Sequence, residues 1–444
     1  MIKKYTIVSL GCPKNLVDSE RFVAIMESYG MIRTDVWEEA NILLINSCSF
    51  IFNALEELNC LLADVIDATK KDITKIVVTG CVMNRGYEQL KDYYPEVDAW
   101  IPLKDFAAFE NYLRENILPS LETPKRLSYT QRVHLEDGNY VYLRIADGCN
   151  NKCSYCMIPY IRGKQVSEPI ETLIEEAKSM QEYGRELILI AQDTCSYGTD
   201  IYGKKALPEL IEALHKETDY DWIRILYLHP DNFELQWTEL WQKFPKLLPY
   251  FDIPIQQVSP KIIKAMKRRK SYQELKELFF HIQQEIPNAV FRTTLMVDYP
   301  NETKEDLELL ERFLSEVPFL QGGVFAYSPE AKDLKDNIYD EFDWKKSKKL
   351  MFAWEDKFYQ IRNQLLEKYV GTIQSALIED YDPYSEQYVG RLWFQAPEID
   401  GCVYIDKLPA DNNSLVEVEI VDVIGDEVMS IFHSNINSNK GITK

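Results

Sequence analysis

Residues 149–156, CNNKCSYC, set Cys149, Cys153 and Cys156 at the spacing C-x3-C-x2-C. A tetrahedral metal ion takes four ligands, so a loop with three thiolates either recruits a distant fourth ligand or leaves one coordination position open. Structural zinc usually shows paired cysteines or histidines at regular spacing. None of the five histidines stands in such a pair, and the nearest, His134, lies upstream. An iron–sulfur cube on three thiolates would keep one iron free for a small molecule. Both readings are open at this point.

Three more cysteines share a local plan. KYTIVSLGC ends on Cys12, NILLINSC on Cys48 and KIVVTGC on Cys81, each an apolar β-rich run followed by a small residue and a cysteine, with a helical stretch beyond. Strands separated by helices pair in parallel, and open α/β sheets gather ligands at one edge, so these three distant thiols are expected to converge. The spacing in NLVDSERFVAIMESYG predicts an amphipathic helix closed by Gly30. Cys60 and Cys402 read as small core residues, and Cys195, just past the strand ELILIAQD, reads as an inert thiol.

The elements that must position these groups divide the 444 residues into an expected α/β arrangement. Residues 1–118 read as a doubly wound parallel-sheet domain, 119–138 as a polar linker, and 139–368 as six β/α units forming a partial barrel. A long helix over WKKSKKLMFAWEDKFYQIRNQLLEKYVG closes that part. Residues 369–435 read as a small all-β barrel and 436–444 as a tail. Nine cysteines, no signal-peptide pattern and no apolar run long enough for a bilayer predict a soluble cytoplasmic chain that does not engage a membrane.

The loop, with Tyr155 before its last cysteine, resembles the radical S-adenosylmethionine (SAM) superfamily. Cys12, Cys48 and Cys81 match the three N-terminal cysteines of the methylthiotransferases in that superfamily, and the small C-terminal domain is similar to a TRAM domain. SLGCPKNLVDSE, AQDT, YFDIPIQQ, KAMKRR and APEIDG resemble the branch that methylthiolates an aspartate of a small-subunit ribosomal protein. The resemblance implies two 4Fe-4S clusters, one on Cys149, Cys153 and Cys156 and one on Cys12, Cys48 and Cys81, with all six cysteines catalytic. It also implies SAM as radical source and methyl donor, and a reduced flavodoxin-like electron donor. Tyr155, Gln192, Asp193 and Arg292 are the expected SAM-pocket residues. A carbon with an unactivated C–H bond resists every side-chain base near neutral pH, which is why such a cofactor is needed.

The chain departs from the family pattern at Ser49, Asp298 and Asn301, where glycines are common, at Gln257 for a histidine, at Glu168 for an arginine, and at Cys195 for a threonine. The glycine losses bear on backbone conformation.

Net charge is -21, and residues 370–435 hold thirteen Asp or Glu against Arg391 and Lys407, a net of -11. A TRAM domain serving RNA should be basic, so this one favours a basic ribosomal protein as substrate and disfavours nucleic acid. The cluster KAMKRRK reads as a solvated helix end. Two other functions fit the same motifs: a tRNA methylthiotransferase acting on isopentenyladenosine, and a non-catalytic metal-cluster protein that binds ribosomes or RNA.

Overall fold

The computed structural model describes residues 2–69, 74–118, 131–329, 342–409, 414–425 and 427–436. The chain forms two compact units. The first comprises Met1–Leu135, Asp147–Val166 and Ser328–Phe342; the second comprises Glu136–Ala146, Ser167–Tyr327 and Asp343–Lys444. Most of the expected linker, residues 119–130, and most of the tail, residues 437–444, lie outside the described residues.

The first unit alternates strand and helix: β1 (Lys4–Ser9), α1 (Pro13–Ser28), β2 (Ile32–Arg33), β3 (Ile42–Ser47), α2 (Phe52–Ala68), β4 (Lys75–Gly80), α3 (Tyr87–Tyr93), β5 (Ala99–Trp100) and α4 (Phe106–Asn116). The strands lie parallel in the order β2-β1-β3-β4-β5. β3 is buried throughout because helices cover both of its faces, which is why its sequence runs apolar without alternation. Ile42 and Leu44 pack with Phe22, Met26, Phe109 and Leu113 of α1 and α4. Leu43 and Ile45 pack with Leu55, Leu58, Leu62 and Val65 of α2. The helices after β1 and β3 therefore take opposite faces, which puts the topological switch point between those strands. Pro13 at the first turn starts α1, and Gly30 at φ +74° follows its end, the glycine stop its sequence predicted. The expected amphipathic pattern is not found: α1 is buried on nearly every side, because Arg132 and Arg162 pair with Glu20 and Asp18 on what would be its polar face.

Cys60 corrects an expectation. The buried stripe of α2 is Leu55, Leu58, Leu62 and Val65, and Cys60, two residues from Leu58 and Leu62, points to solvent. At about 100° per residue, that spacing places it on the opposite face.

The first unit also holds residues 147–166, with the short helix α5 (Ile158–Ile161). The chain leaves the second unit through β6 (Tyr140–Arg144) and β7 (Ala146–Asp147), and returns through β8 (Val166–Ser167), the pair of β7.

In the second unit follow α6 (Ile170–Ser179), β9 (Glu186–Ile190), α7 (Leu207–Glu217), β10 (Trp222–Ile225), α8 (Thr238–Lys243), β11 (Tyr250–Asp252), α9 (Pro260–Ala265), α10 (Tyr272–Glu285), β12 (Val290–Val297), α11 (Lys304–Glu316) and β13 (Phe319–Ala326). Two parallel three-stranded sheets, β10-β9-β6 and β11-β12-β13, meet where Leu248 N donates to Ile223 O and Leu228 N to Asp252 O, each at 2.9 Å. The six strands make a partial (β/α)6 barrel. The long helix α12 (Trp344–Leu366) packs Trp354 and Phe358 into the same core, and Gly322 of β13 leaves the room that Phe358 occupies.

The C-terminal strands β14 (Ile373–Asp382), β15 (Gln387–Leu392), β16 (Val403–Asp406), β17 (Leu415–Ile424) and β18 (Glu427–Asn435) close a barrel in the order β14-β15-β16-β18-β17. Buried charges tie it to the larger barrel. Arg391 Nη1 lies 2.6 Å from Glu186, whose other oxygen accepts from Arg224 Nε at 2.6 Å, and Arg391 Nη2 lies 2.7 Å from Glu379. Among the described residues, no helix is long and apolar enough to cross a membrane.

Candidate active site

β1, β3 and β4 are sheet neighbours in register: Ser9 stands opposite Asn46, Asn46 opposite Thr79, and Ser47 opposite Gly80. Cys12, Cys48 and Cys81 follow just beyond these pairs. Neighbouring strands run about 4.8 Å apart, so parallel topology brings the three thiols to one edge. Cys12 occupies the N-cap of α1, an end that favours negative charge.

Gly11 has φ +95°, and a Cβ built there would lie 2.5 Å from Cys48 Cβ and 3.2 Å from its Sγ. Gly80 has φ +101°, and a Cβ there would lie 2.4 Å from the Ser47 carbonyl. Only glycine accepts both the conformation and the approach. Of the three thiols, Cys81 is buried and Cys12 and Cys48 are half-buried. Burial pushes the Cys48 thiol up to about 12, with Cys81 and Cys12 adding to the rise. Burial likewise raises Cys81 to about 11, against the pull of Arg162. Coordination to iron displaces such protons, so a thiol-only set like this suits an iron–sulfur cluster.

The second set is built by a single loop. Gly148, at φ +72°, puts the backbone where a Cβ would lie 2.2 Å from Lys164 O. Cys149 N donates to Gly163 O at 3.1 Å, Gln165 N to Asn150 Oδ1 at 3.2 Å, and Cys156 N to Cys153 O at 3.2 Å, which closes the loop on itself. Cys149 is buried and its Sγ accepts from Asn151 N and Nδ2, both at 3.4 Å. Cys153, Tyr155 and Cys156 are half-buried.

Downstream of the loop, Met157 and Ile161 pack on Cys81, and Asn84 Nδ2 donates to Ile161 O at 2.6 Å. The two sets are thereby neighbours within one unit. Among the described residues, no three His, Cys, Asp or Glu side chains stand close enough to share one ion. Three thiolates on a cube bind three different irons, and so stand farther apart than the ligands of a single ion.

Arg162 was not singled out from the sequence. Its side chain is 1 % exposed, with Nη1 3.1 Å from Asp147 Oδ1 and Nη2 3.3 Å from Asp18 Oδ2. Nη2 also donates to Asn15 Oδ1, which lies 3.5 Å from Cys81 Sγ. Lys104 pairs with Asp147 as well. Its acceptors lie in α1, where Asn15, Asp18 and Glu20 are buried, which only the fold reveals.

Gln192 and Asp193 belong to the second unit, at the C-terminal end of β9 where barrels gather their ligands. Asp193 accepts from Ser196 Oγ at 2.7 Å and Asn232 Nδ2 at 2.6 Å. Arg292 lies in the first half of β12, with Nη1 3.1 Å from Asp252 and Nε 3.2 Å from Asp400. Two carboxylates already neutralise it, which lowers its value as a receptor for a third. The basic run after α9 is partly folded back: Asp231 accepts the backbone N–H groups of Arg269 and Lys270, each at 3.0 Å, and Arg268 Nη2 donates to Pro254 O at 3.0 Å. Cys195 is fully buried and burial raises its thiol far above the ordinary range, whereas Cys402 is half-buried.

At the departures from the family pattern, Asp298 (φ 59°) and Asn301 (φ 64°) hold the left-handed conformation that Asp and Asn tolerate best after glycine. Asp298 N donates to Glu302 Oε2 at 2.7 Å, and Gln257 Nε2 donates to its Oε1 at 2.8 Å. Burial raises Glu302 to about 7. Ser49 is buried, with its carbonyl accepting from Arg85 Nη1 at 2.7 Å, and the Glu168 carbonyl accepts from Tyr197 Oη at 2.7 Å.

Residues 4–102 match the Uncharacterized protein family UPF0004, 143–314 the Radical SAM superfamily, and 370–430 the TRAM domain. The ribosomal protein uS12 methylthiotransferase RimO of Alkaliphilus oremlandii is 36% identical over 422 residues, covering 93% of this chain and 95% of that protein. The protein of the same name from Thermotoga maritima is 36% identical over 403 residues, covering 89% and 92%, and that from Aquifex aeolicus is 37% identical over 410 residues, covering 91% of each.

Proposed function

Because the chain belongs to the RimO family of radical SAM methylthiotransferases, we propose that it adds a methylthio group to the β carbon of an aspartate in small-subunit ribosomal protein uS12. The radical SAM domain brings with it SAM and an iron–sulfur cluster. We assign that cluster to Cys149, Cys153 and Cys156, and a second 4Fe-4S cluster to Cys12, Cys48 and Cys81. The observation that most supports two clusters is the gathering of both thiol sets in one compact unit, joined through Met157, Ile161 and Cys81.

Bound together, the two clusters and SAM supply removal of a hydrogen atom from an unactivated carbon and delivery of methylated sulfur to it. The chain's own part is placement. The closed loop from Gly148 to Gln165 fixes three thiolates, and Asn151 donates to the first of them. Tyr155, Gln192 and Asp193 are the proposed cofactor contacts, with Asp193 oriented by Ser196 and Asn232. Reacting groups misplaced by about 1 Å lose roughly two orders of magnitude in rate, which is the use of this rigidity.

The -11 charge of residues 370–435 supports a basic protein substrate, whose capture weakens as salt rises. The domain division 1–118, 119–138, 139–368, 369–435 and 436–444, a cytoplasmic location and a flavodoxin-like donor complete the proposal. The test offers the anaerobically reconstituted enzyme uS12 and isopentenyladenosine-containing tRNA together. A gain of one methylthio group on the protein is expected; modification of the tRNA alone would overturn the assignment.

A further inference from the structure

We propose that Arg162 is a positioning residue shared by the two cysteine sets. Its guanidinium gathers Asn15 and Asp18 of α1, Asp147 before Cys149, and Cys81 around one buried positive charge that tunes the cluster on Cys12, Cys48 and Cys81. The inference rests on the reading of those cysteines as cluster ligands.

Each contact has a distinct consequence. Asn15 and Asp18 lie in the first two turns of the helix that Cys12 caps, so holding them orients the first cysteine loop. Asn15 is further fixed by its Nδ2 donating to Leu10 O at 2.9 Å and its carbonyl accepting from Asn46 Nδ2 at 2.7 Å, so the guanidinium meets a rigid partner. Asp147 stands two residues before Cys149, and its Oδ1 also accepts from Gly148 N at 3.0 Å, so the same grip extends to the start of the second loop. The Arg162 side chain is 1 % exposed and that of Asp18 1 %, which keeps water from screening their fields. Adding an electron to a cluster is favoured by a nearby positive charge and opposed by a nearby negative one. Arg162 and Asp18 therefore act on the same thiol set with opposite signs.

The test uses the full chain with Cys149, Cys153 and Cys156 replaced by Ala, so that one cluster remains, and reads its midpoint potential by electron paramagnetic resonance during a redox titration. Arg162→Met is expected to make the potential more negative, Asp18→Asn less negative, and the double variant to return close to the parent. Arg162→Lys, which keeps the charge, is expected to stay near the parent. Should Arg162→Met fail to fold, as a loss of cooperative thermal unfolding would reveal, Asp18→Asn still tests the sign. Shifts of one sign in both single variants, or none in Asp18→Asn, would overturn the proposal while leaving the cluster assignment standing. A parent that binds no iron would overturn the assignment itself, and the proposal with it.

Discussion

Cys149, Cys153 and Cys156 come from eight consecutive residues, whereas Cys12, Cys48 and Cys81 come from the ends of three different strands. The first arrangement is a property of one loop, closed by hydrogen bonds between residues at most 15 apart in sequence. The second exists only when β1, β3 and β4 pair in register, so it depends on the whole sheet. They share one device. Gly11, Gly80 and Gly148 each precede a cysteine, each at positive φ, and at each a Cβ would clash. The difference shows that a ligand set can be written locally or topologically, with glycine required before three of the six thiols, Cys12, Cys81 and Cys149.

Cysteine replacement should separate the two sets most strongly. Cys149→Ala is expected to abolish SAM cleavage, and Cys81→Ala to preserve SAM cleavage while abolishing methylthio transfer, both read by chromatography of the products. Equal loss of cleavage in both variants would erase the distinction between the sets. Next in size, Gly148→Ala and Gly80→Ala are each expected to lose the iron of their own set, about four atoms per chain. Loss of all iron from either variant would mean that the loops do not form independently.

A control outside both sets is Arg391→Ala. It removes one of two guanidinium partners from the buried Glu186, which should cost about 3 kcal/mol of stability in denaturant melts, the lower end for buried pairs because Arg224 remains. Iron content should not change; if it falls in proportion, the small barrel contributes to the site.

The smallest effect belongs to Glu302, raised by burial from the usual 4.5 to about 7. The folded chain then holds this proton more tightly than the unfolded chain, so its contribution to stability declines as pH rises from about 4.5 through about 7. Glu302→Gln should flatten that part of the melting-temperature profile, and a profile unchanged from the parent would assign the slope to other groups.

The sequence made Cys149, Cys153 and Cys156 legible because spacing within a loop is a local signal. It made the convergence of Cys12, Cys48 and Cys81 legible because the β-run, small residue and cysteine recur three times, and parallel strands must end together. Arg162 was hidden because its partners, Asp18 and Asn15, are far away in sequence and no periodicity links them. The employment of Arg292 by Asp252 and Asp400 was hidden for the same reason, since Asp400 comes from the C-terminal barrel region. Cys60 is different: the spacing of Leu55, Leu58, Leu62 and Val65 already excludes it from the buried stripe, so the helical period held the answer.

Iron analysis of anaerobically reconstituted protein decides whether each three-cysteine set holds its own cluster. About eight irons per chain are expected in the parent, and about four when either set is replaced by Ala. Four irons in the parent, or complete loss of iron on removing one set, would contradict one cluster per set.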